Sequence, residues 1–420
     1  SRGINMLKQI EGSHGVSEAV ALCRPEVICA YPITPQTHIV EDLGALVKSG
    51  KLKNCEYINV ESEFAALSVG IGSSAAGART YTATASQGML FMAEAVYNAS
   101  GLGLPIVMTV GNRSIGAPIN IWNDQSDSMS MRDAGWIQLF VEDNQQAVDI
   151  HIQAFKIAEA LSLPVMVCMD GFILTHAIEG IDVPDQKQVD KFLPSFVPRQ
   201  ILDPENPISI GAMVGPEAFT EVRYLAHQKQ KEALKLIPKI NEDFKQIFGR
   251  DSGGLISTFN VDDADTVIVT LGSVIGTIQE ALDEQDENIG ALTIRSFRPF
   301  PLEAIRSALK NVKRVVVFEK CFAVGIGGIV ANNVRMALSG ANIEVYEVIG
   351  GLGGRPITRK SLHKLFKDAV KDNLEVVTFL DLKKDVVERE LKREKELIQS
   401  GSVAENVLRD GGVVSAAKTT

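Results

Sequence analysis

At residues 105–110 the chain carries an almost unbroken apolar run, Pro105-Ile106-Val107-Met108-Thr109-Val110, which passes directly into a glycine and a polar stretch. A strand with one face in water alternates apolar and polar residues, whereas a strand covered by helices on both faces shows no such alternation. The run therefore predicts a buried strand of a parallel sheet.

Similar short apolar runs recur on both sides of this strand, separated by stretches in which apolar residues have helical spacing. The predicted strands of the first domain are Glu26–Tyr31, Glu56–Val60, Arg79–Thr84, Pro105–Val110, Trp136–Val141 and Pro164–Asp170. The predicted helices are Thr37–Lys48, Ser62–Ala76, Met89–Ser100 and Asn144–Leu161. This alternation indicates βαβ units, and hence an α/β fold with a doubly wound parallel sheet over residues 1–185.

The second half of the chain repeats the pattern on a smaller scale. Residues 186–255 form a connection that is first irregular and then, over 216–250, amphipathic and charged, which predicts a long helix. A second doubly wound parallel-sheet domain is expected over 256–370. Its predicted strands are Thr266–Leu271, Ala291–Ser296, Arg314–Glu319 and Ile343–Val348, and its predicted helices are Ile275–Glu287, Leu302–Leu309 and Ile329–Leu338.

The last segment, 371–420, is charge-dense, and we expect a C-terminal arm with an exposed helix over 382–398. Packing of this arm on a partner and ordinary terminal disorder are both open at this point.

Composition narrows the classes of partner. The 420 residues carry a formal charge of −10, which argues against nucleic acid or an anionic membrane as the main partner. No apolar run reaches the ~20 residues of a membrane span, and the N-terminus lacks the apolar core of a signal peptide, so a cytoplasmic protein is expected.

Cysteine and histidine spacing gives no sign of a metal centre. The five cysteines are scattered and never spaced as CxxC, so iron–sulfur chemistry is not expected in this chain. The six histidines form no HxH or HxxxH pair, and no metal ligand is predicted. We interpret His38 as a helix-surface residue. It lies near the strand ends, where a parallel sheet is expected to bind its ligand.

Polar residues follow the predicted strands at the points where each strand ends. Ligands of open parallel sheets bind outside these carboxyl ends. The four stretches are Tyr31–Pro35, Glu61–Glu63, Ala85–Gly88 and Gly111–Ser114. Each also has an ordinary structural explanation: Thr34 as a helix N-cap, Glu63 as a first-turn acid, and Arg113 as the ion-pair partner of Asp124.

Taken together, these stretches resemble one family. Its motifs are matched by Ala30-Tyr31-Pro32-Ile33-Thr34-Pro35, Val60-Glu61-Ser62-Glu63, Thr82–Gly88, Gly111-Asn112-Arg113, Ala117–Asp124, Arg132–Gln138, Arg298-Pro299-Phe300-Pro301 and Gly351–Arg355. In this order they resemble the alpha subunits of 2-oxoacid:ferredoxin oxidoreductases of the pyruvate:ferredoxin oxidoreductase type. The resemblance covers nearly the whole chain except its C-terminal end.

The resemblance implies a fold, a cofactor and a set of site residues. The two domains would be a pyrimidine-type thiamine-diphosphate-binding domain and a transketolase C-terminal-like domain. Glu63 would be the catalytic carboxylate on the aminopyrimidine ring. Thr34 and Arg113 would bind the substrate carboxylate, and Pro32, Ile33 and Gln87 would join Glu63 in holding the cofactor.

The family oxidatively decarboxylates a 2-oxoacid with coenzyme A, and electrons leave through [4Fe-4S] clusters. This chain lacks the Gly-Asp-Gly motif that precedes the magnesium and diphosphate ligands of complete thiamine enzymes. The resemblance therefore implies a beta-type subunit that holds Mg²⁺ and the diphosphate, a gamma-type subunit and a ferredoxin-like iron–sulfur subunit. A self-sufficient thiamine transferase is disfavoured for the same reason.

Several alternatives stay open. The stretch Asn120-Ile121-Trp122-Asn123-Asp124 favours pyruvate as substrate, whereas 2-oxoisovalerate or phenylglyoxylate would keep the same chemistry. A flavin subunit could pass electrons to NAD instead of ferredoxin. A non-catalytic scaffold subunit would be expected to lack Glu63 or Arg113, and both are present.

Two glycine-rich stretches, Gly325–Gly328 and Gly350–Arg355, lack the GxGxxG spacing of dinucleotide sites. We expect the first to form a tight strand-to-helix turn and the second to bring the backbone close to a neighbouring subunit. Asn332-Asn333 is interpreted as an ordinary helix-surface pair.

Overall fold

Two large sheets, each mainly parallel, and a small two-stranded sheet form the framework of the protein. A computed structural model describes residues 7–413. The N-terminal stretch 1–6 and residues 414–420 of the expected C-terminal arm lie outside the described residues.

The elements are numbered in chain order. The strands are β1 (Lys8–Glu11), β2 (Val27–Ala30), β3 (Glu56–Asn59), β4 (Thr80–Thr84), β5 (Val107–Asn112), β6 (Ile137–Phe140), β7 (Val165–Asp170), β8 (Ile178–Ile181), β9 (Ile256–Phe259), β10 (Thr266–Thr270), β11 (Ile289–Ile294), β12 (Ser296–Arg298), β13 (Arg314–Glu319), β14 (Glu344–Ile349) and β15 (Val377–Phe379).

The helices are α1 (Gly12–Leu22), α2 (Thr37–Lys48), α3 (Glu63–Ala75), α4 (Ser86–Phe91), α5 (Ala93–Gly101), α6 (Ser126–Ser130), α7 (Asn144–Leu161), α8 (Gln186–Phe192), α9 (Phe219–Phe248), α10 (Val274–Asp283), α11 (Leu302–Ala308), α12 (Ile329–Ala337), α13 (Arg359–Val370), α14 (Lys384–Lys395) and α15 (Val403–Asp410).

The first sheet has the strand order β12-β6-β7-β5-β4-β2-β3 and is parallel except for β12. Every residue of β4, β5 and β7 is buried, which is the environment that the apolar run at 105–110 predicts. Helices cover both faces of this sheet, and their buried side chains fall into two apolar clusters.

The second sheet has the order β15-β14-β13-β10-β11-β9, parallel except for the edge strand β9. The fold class predicted from the sequence, two doubly wound parallel-sheet domains, is confirmed. The domain bounds 1–185, 186–255, 256–370 and 371–420 stay proposals.

Two predicted elements differ from the structure. The helix predicted at Met89–Ser100 begins earlier and is broken at Met92 into α4 and α5. The strand predicted at Ala291–Ser296 ends at Ile294, and β12 then leaves for the first sheet, where Ser296 lies opposite Leu139 of β6. An apolar run predicts burial but not which of two sheets buries it.

The connection packs on the first domain through the predicted long helix, which is α9. One face of α9 is buried, and Phe244 meets Phe192 of α8 edge-on, with 5.4 Å between the ring centroids. In the C-terminal arm, α14 and α15 contact one another through an ion pair between Arg393 and Asp410. Across residues 7–413, no helix has the length and apolarity that a bilayer crossing requires.

Candidate active site at the strand ends

The turn after β2 is held rigidly against the neighbouring strands. Gln36 is fully buried and donates from Nε2 to the carbonyl oxygens of Tyr31 (2.9 Å) and Ala83 (3.3 Å). Pro35 packs close to Gly171, where a Cβ would come within 2.5 Å of the proline ring. Thr34, in contrast, is exposed, so its hydroxyl is available to a ligand.

Glu63 begins α3, one residue after the predicted start, because Ser62 caps the helix and its hydroxyl accepts a hydrogen bond from Ala65 N at 3.1 Å. A first-turn acid that only complements the helix dipole would lie in water, yet Glu63 is only 7% exposed. Among the described residues, nothing donates a hydrogen bond to its carboxylate or pairs with it. A buried carboxylate without a partner is costly unless a ligand supplies the donor.

The Glu63 carboxylate packs closely against the backbone of Gly88. A Cβ on Gly88 would lie 2.8 Å from Glu63 Oε1 and 2.6 Å from Thr84 Oγ1. Thr84 Oγ1 is itself buried without a hydrogen-bond partner. Position 88 therefore has to be a glycine for the Glu63 carboxylate and the Thr84 hydroxyl to keep their places.

The loop after β4 is joined to the loop after β5. Ser86 has φ +49°, and its hydroxyl donates to Ser114 O at 2.5 Å. Gln87 contacts the Ser86 hydroxyl through its own Oε1, and its Nε2 lies where a Cβ on Gly116 would come within 2.6 Å. Gln87 thus lies between two loops of the site.

Asp127 is the residue that sequence reasoning missed. Its carboxylate is fully buried and accepts hydrogen bonds from Ser86 N (2.9 Å), Arg113 N (2.9 Å) and Asn112 Nδ2 (2.8 Å). Burial outweighs these bonds and raises the pKa of Asp127 to about 7. No motif or spacing marks this position, because its role depends on loops brought together by the sheet.

Arg113 lies buried between these loops with its charge unpaired. Its Nε donates to Asn120 O at 3.0 Å and its Nη1 to Thr34 O at 3.1 Å. No carboxylate of the described residues lies within ion-pair distance, and burial lowers the pKa of Arg113. The expected alternative partner, Asp124, instead accepts from Gly353 N at 3.1 Å. A buried guanidinium of this kind is suited to an anionic ligand.

The second glycine-rich stretch, Gly350–Arg355 of the second domain, contacts residues 120–124, which we call the site loop. Gly354 N donates to Asn123 O at 2.6 Å, and Asn120 Nδ2 donates to Gly353 O at 3.2 Å. Gly354 has φ +80°, and a Cβ there would lie 2.5 Å from Trp122 Cβ. The close backbone approach expected here is therefore made to the site loop of the same chain.

The first glycine-rich stretch forms the strand-to-helix turn that was expected. The N-terminus of α12 is already occupied by a buried carboxylate, because Glu319 accepts from the backbone N–H groups of Ile329 and Val330 at 2.9 and 2.8 Å. Burial raises the pKa of Glu319 to about 7. An anionic phosphate would meet this carboxyl group, which argues against a nucleotide at this turn. Asn332 is exposed and Asn333 donates to Ile329 O, as a helix-surface pair would.

A buried ion pair joins the domains behind the site. Lys320 Nζ lies 3.2 Å from Asp170 Oδ2, and Ser273 N donates to the same oxygen at 3.0 Å. Burial alone would raise the pKa of Asp170, but the Lys320 ammonium and the Ser273 hydrogen bonds outweigh it and lower that pKa. The end of β7 is thereby fixed to two segments of the second domain.

Comparison with known proteins identifies the family of the chain. Residues 18–242 match the family model described as "Pyruvate flavodoxin/ferredoxin oxidoreductase, thiamine diP-bdg", and residues 264–362 match "Pyruvate:ferredoxin oxidoreductase core domain II". Among solved structures, a 2-oxoglutarate:ferredoxin oxidoreductase from Magnetococcus marinus shares the fold, with a TM-score of 0.66 and 20% identity over 87% of this chain and 66% of that chain.

Curated relatives are more similar. A pyruvate synthase subunit PorA of Methanosarcina barkeri is 46% identical over 90% of this chain and 97% of its own length. The corresponding subunit of Methanocaldococcus jannaschii is 47% identical over 84% of this chain and 92% of its own. A ketoisovalerate oxidoreductase subunit VorA of Pyrococcus abyssi is 39% identical over 87% and 93%.

The fold and the matched models define a subunit of an oxidoreductase with a thiamine-diphosphate-binding type of domain. The chain belongs to the 2-oxoacid:ferredoxin oxidoreductase family, as an alpha subunit.

Proposed function

We propose that this chain supplies half of a thiamine diphosphate site, the half that binds the aminopyrimidine ring. The same crevice, at the ends of β2 to β5, also binds the carboxylate of the substrate. The reaction is the oxidative decarboxylation of a 2-oxoacid, in which the 2-oxoacid and coenzyme A yield an acyl-CoA, CO₂, one proton and two electrons. The beta-type partner supplies the Mg²⁺ and diphosphate half.

The single observation that carries the proposal is that the Glu63 carboxylate is buried without a hydrogen-bonding partner among the described residues. This carboxylate packs against Gly88 and Thr84. An aminopyrimidine ring would supply the missing partner, because one of its ring nitrogens can share a proton with the carboxylate. Thiamine diphosphate, when bound, supplies the carbon nucleophile and the electron sink of the reaction.

The other site residues bind and orient. Arg113 keeps its Nη2 group free of acceptors from the described residues and attracts the carboxylate of the 2-oxoacid. Thr34, tied to Arg113 through its own carbonyl oxygen, presents its hydroxyl to the same end of the substrate. Pro32, Ile33 and Gln87 line the cofactor side of the crevice. The substrate carboxylate loses its charge as CO₂ leaves, so Arg113 binds the ground state more strongly than the transition state. Arg113 therefore orients the substrate rather than accelerating the chemical step.

Pyruvate is the favoured substrate. The relatives of highest identity described above are pyruvate synthase subunits, and the VorA relative is somewhat less similar. A branched or aromatic 2-oxoacid such as 2-oxoisovalerate or phenylglyoxylate is the second candidate, and the ketoisovalerate relative supports the branched one. Trp122, half exposed in the site loop, is the side chain whose position would limit the size of the substrate.

The remaining parts of the proposal concern partners. Electrons leave through [4Fe-4S] clusters in a ferredoxin-like subunit to ferredoxin, and a gamma-type subunit completes the complex. A flavin subunit passing electrons to NAD is the alternative acceptor route. The relatives are subunits by name, which supports a complex of this kind, and we place it in the cytoplasm.

The test uses the chain purified with its native partners. The complex is assayed with a series of 2-oxoacids for CoA-dependent reduction of ferredoxin or a viologen dye. Replacing Glu63→Gln removes the ionisable group and is expected to lower turnover by at least ~100-fold. Assembly, followed by size-exclusion chromatography, should be unchanged.

The matched control is Glu61→Gln, which changes an exposed neighbour in the same way and should leave turnover intact. Full activity of the Glu63→Gln complex would overturn the proposed catalytic role. Activity of this chain without any partner would overturn the shared site.

A further inference from the structure

Three potential metal ligands that are far apart in sequence meet near the first turn of α2. They are Glu11 at the end of β1, His38 in α2 and His176 in the loop after β7. One ligand atom from each residue lies within 4.8 Å of those of the other two. The spacing rules that predicted no metal ligand consider only histidines close in sequence, so they could not detect this group.

The geometry of the three side chains is already organised. His38 Nδ1 lies 2.6 Å from Glu11 Oε1, and the His38 and His176 rings are 4.7 Å apart between centroids. His176 Nδ1 is in hydrogen-bond contact with the Thr175 hydroxyl at 2.8 Å, which leaves its Nε2 for another partner. A metal-bound histidine commonly has its second ring nitrogen hydrogen-bonded in this way, which fixes the ring orientation.

We infer that Glu11, His38 and His176 bind one divalent transition-metal ion of the zinc class. Two imidazole nitrogens and one carboxylate oxygen form a ligand set that suits Zn²⁺, whereas Mg²⁺ and Ca²⁺ require mostly oxygen ligands. With three protein ligands, a tetrahedral ion keeps its fourth position for water.

The chain contains a pair that shows what a simple histidine–carboxylate contact looks like. His14 Nδ1 contacts Asp42 Oδ2 at the surface, and within residues 7–413 no second histidine joins that pair. The trio differs by His176, which comes from a third segment and adds a second nitrogen ligand.

The ion would connect the site loop with distant segments. The His176 ring stacks on Phe172 with centroids 4.6 Å apart, and Phe172 in turn contacts Trp122 of the site loop at 4.8 Å. Glu11 belongs to β1, which pairs with β8. Binding would therefore tie β1, the start of α2 and the loop after β7 into one rigid corner next to the crevice.

The test measures zinc directly. The complete complex is treated with a chelator, equilibrated with Zn²⁺ in excess Mg²⁺ so that the magnesium site stays filled, and analysed for zinc by atomic emission. We expect one zinc ion per alpha chain. His38→Ala and His176→Ala should each weaken zinc binding by at least ~10-fold, and His14→Ala should not change it.

A milder variant keeps the inference testable if an alanine variant folds poorly. Thr175→Val removes the hydrogen bond to His176 and should weaken zinc binding by about 10-fold, since the partners of ligands tune affinity by that order. Zinc should also raise the melting temperature of the unmodified complex and of the His14→Ala complex, but not of the His176→Ala complex. Absence of bound zinc in the unmodified complex, or equal zinc in all variants, would overturn the inference.

Discussion

Lys320 and Asp170 form an ion pair that is almost completely excluded from solvent, with side-chain exposures of 2% and 1% and an Nζ–Oδ2 distance of 3.2 Å. Asp170 ends β7 of the first sheet, and Lys320 follows β13 of the second. The two domains are therefore joined by buried opposite charges as well as by apolar contact.

Removing only the cation should destabilise the chain strongly. Lys320→Met leaves Asp170 charged and unpaired in the interior, which typically costs about 3–5 kcal/mol. The double variant with Asp170→Asn should recover part of that loss. Lys313→Met, which breaks an exposed ion pair with Asp265, should cost no more than about 1 kcal/mol. Chemical denaturation measures all three, and equal losses for Lys320→Met and Lys313→Met would contradict the expectation.

Gly88→Ala should damage the cofactor half-site while keeping the fold. The added methyl group would lie 2.8 Å from Glu63 Oε1, so the carboxylate has to move. We expect the concentration of thiamine diphosphate needed for half-maximal activity to rise by about tenfold, the size of a mild overpacking penalty. Gly72→Ala in α3, where a Cβ meets nothing within 4 Å, is the matched control. An unchanged cofactor requirement in Gly88→Ala would show that Glu63 does not face the ring.

Arg113→Lys should raise the KM for the 2-oxoacid while changing kcat little. Lysine keeps the charge but cannot donate to both Asn120 O and Thr34 O while holding a carboxylate. Losing one charge-assisted hydrogen bond corresponds to roughly 10–100-fold in KM for the 2-oxoacid. The kcat should change by less than about threefold if the residue mainly orients the substrate. Arg24→Lys, in an exposed ion pair with Asp190, should leave both constants unchanged. A fall in kcat with constant KM would assign Arg113 a role in the chemical step.

Stability should depend on pH through Asp127. Its folded-state pKa of about 7 lies above the ordinary 3.8, so the folded chain holds this proton more tightly than the unfolded chain does. The stabilisation is fully present below the ordinary value and is lost as pH rises through about 7. The free energy of unfolding of the unmodified chain should therefore fall as the pH rises from 3.8 to about 7. This fall should be smaller in the Asp127→Asn chain.

Burial also raises the pKa of Glu319 to about 7, so Glu319 should contribute part of the pH dependence that the Asp127→Asn chain retains. Unfolding titrations of the Asp127→Asn, Glu319→Gln and doubly substituted chains separate the two contributions. A pH profile of stability that is identical in all of them would contradict both assignments.

Much of the fold could be predicted because the central strands have a strong local signal. Strand β7 and most of β5 are apolar runs, and the structure buries all of their residues. The parallel-sheet rule then placed Thr34, Glu63, Gln87 and Arg113 at neighbouring strand ends. Their roles as cofactor and substrate ligands came from the family resemblance and stay predictions.

What the sequence did not reveal depends on contacts between distant segments. Asp127 acts on Ser86 and Arg113, which follow two different strands, and no spacing rule relates the three. The pairing of β12 with β6 is of the same kind, since Ser296 and Leu139 are adjacent only once both domains exist. Local patterns carry information on burial and backbone preference, whereas partner choice is a property of the assembled chain.

Strand β12 has a consequence for how the protein is made. During synthesis the first domain emerges with β6 as the outermost strand of its sheet, and the covering segment Ser296–Arg298 appears only much later. Until then an apolar strand edge with unpaired N–H and C=O groups is open to other chains. A nascent chain halted before residue 296 would thus be prone to aggregate, and synthesis has to continue through β12, inside the second domain, before the first sheet is covered at this edge.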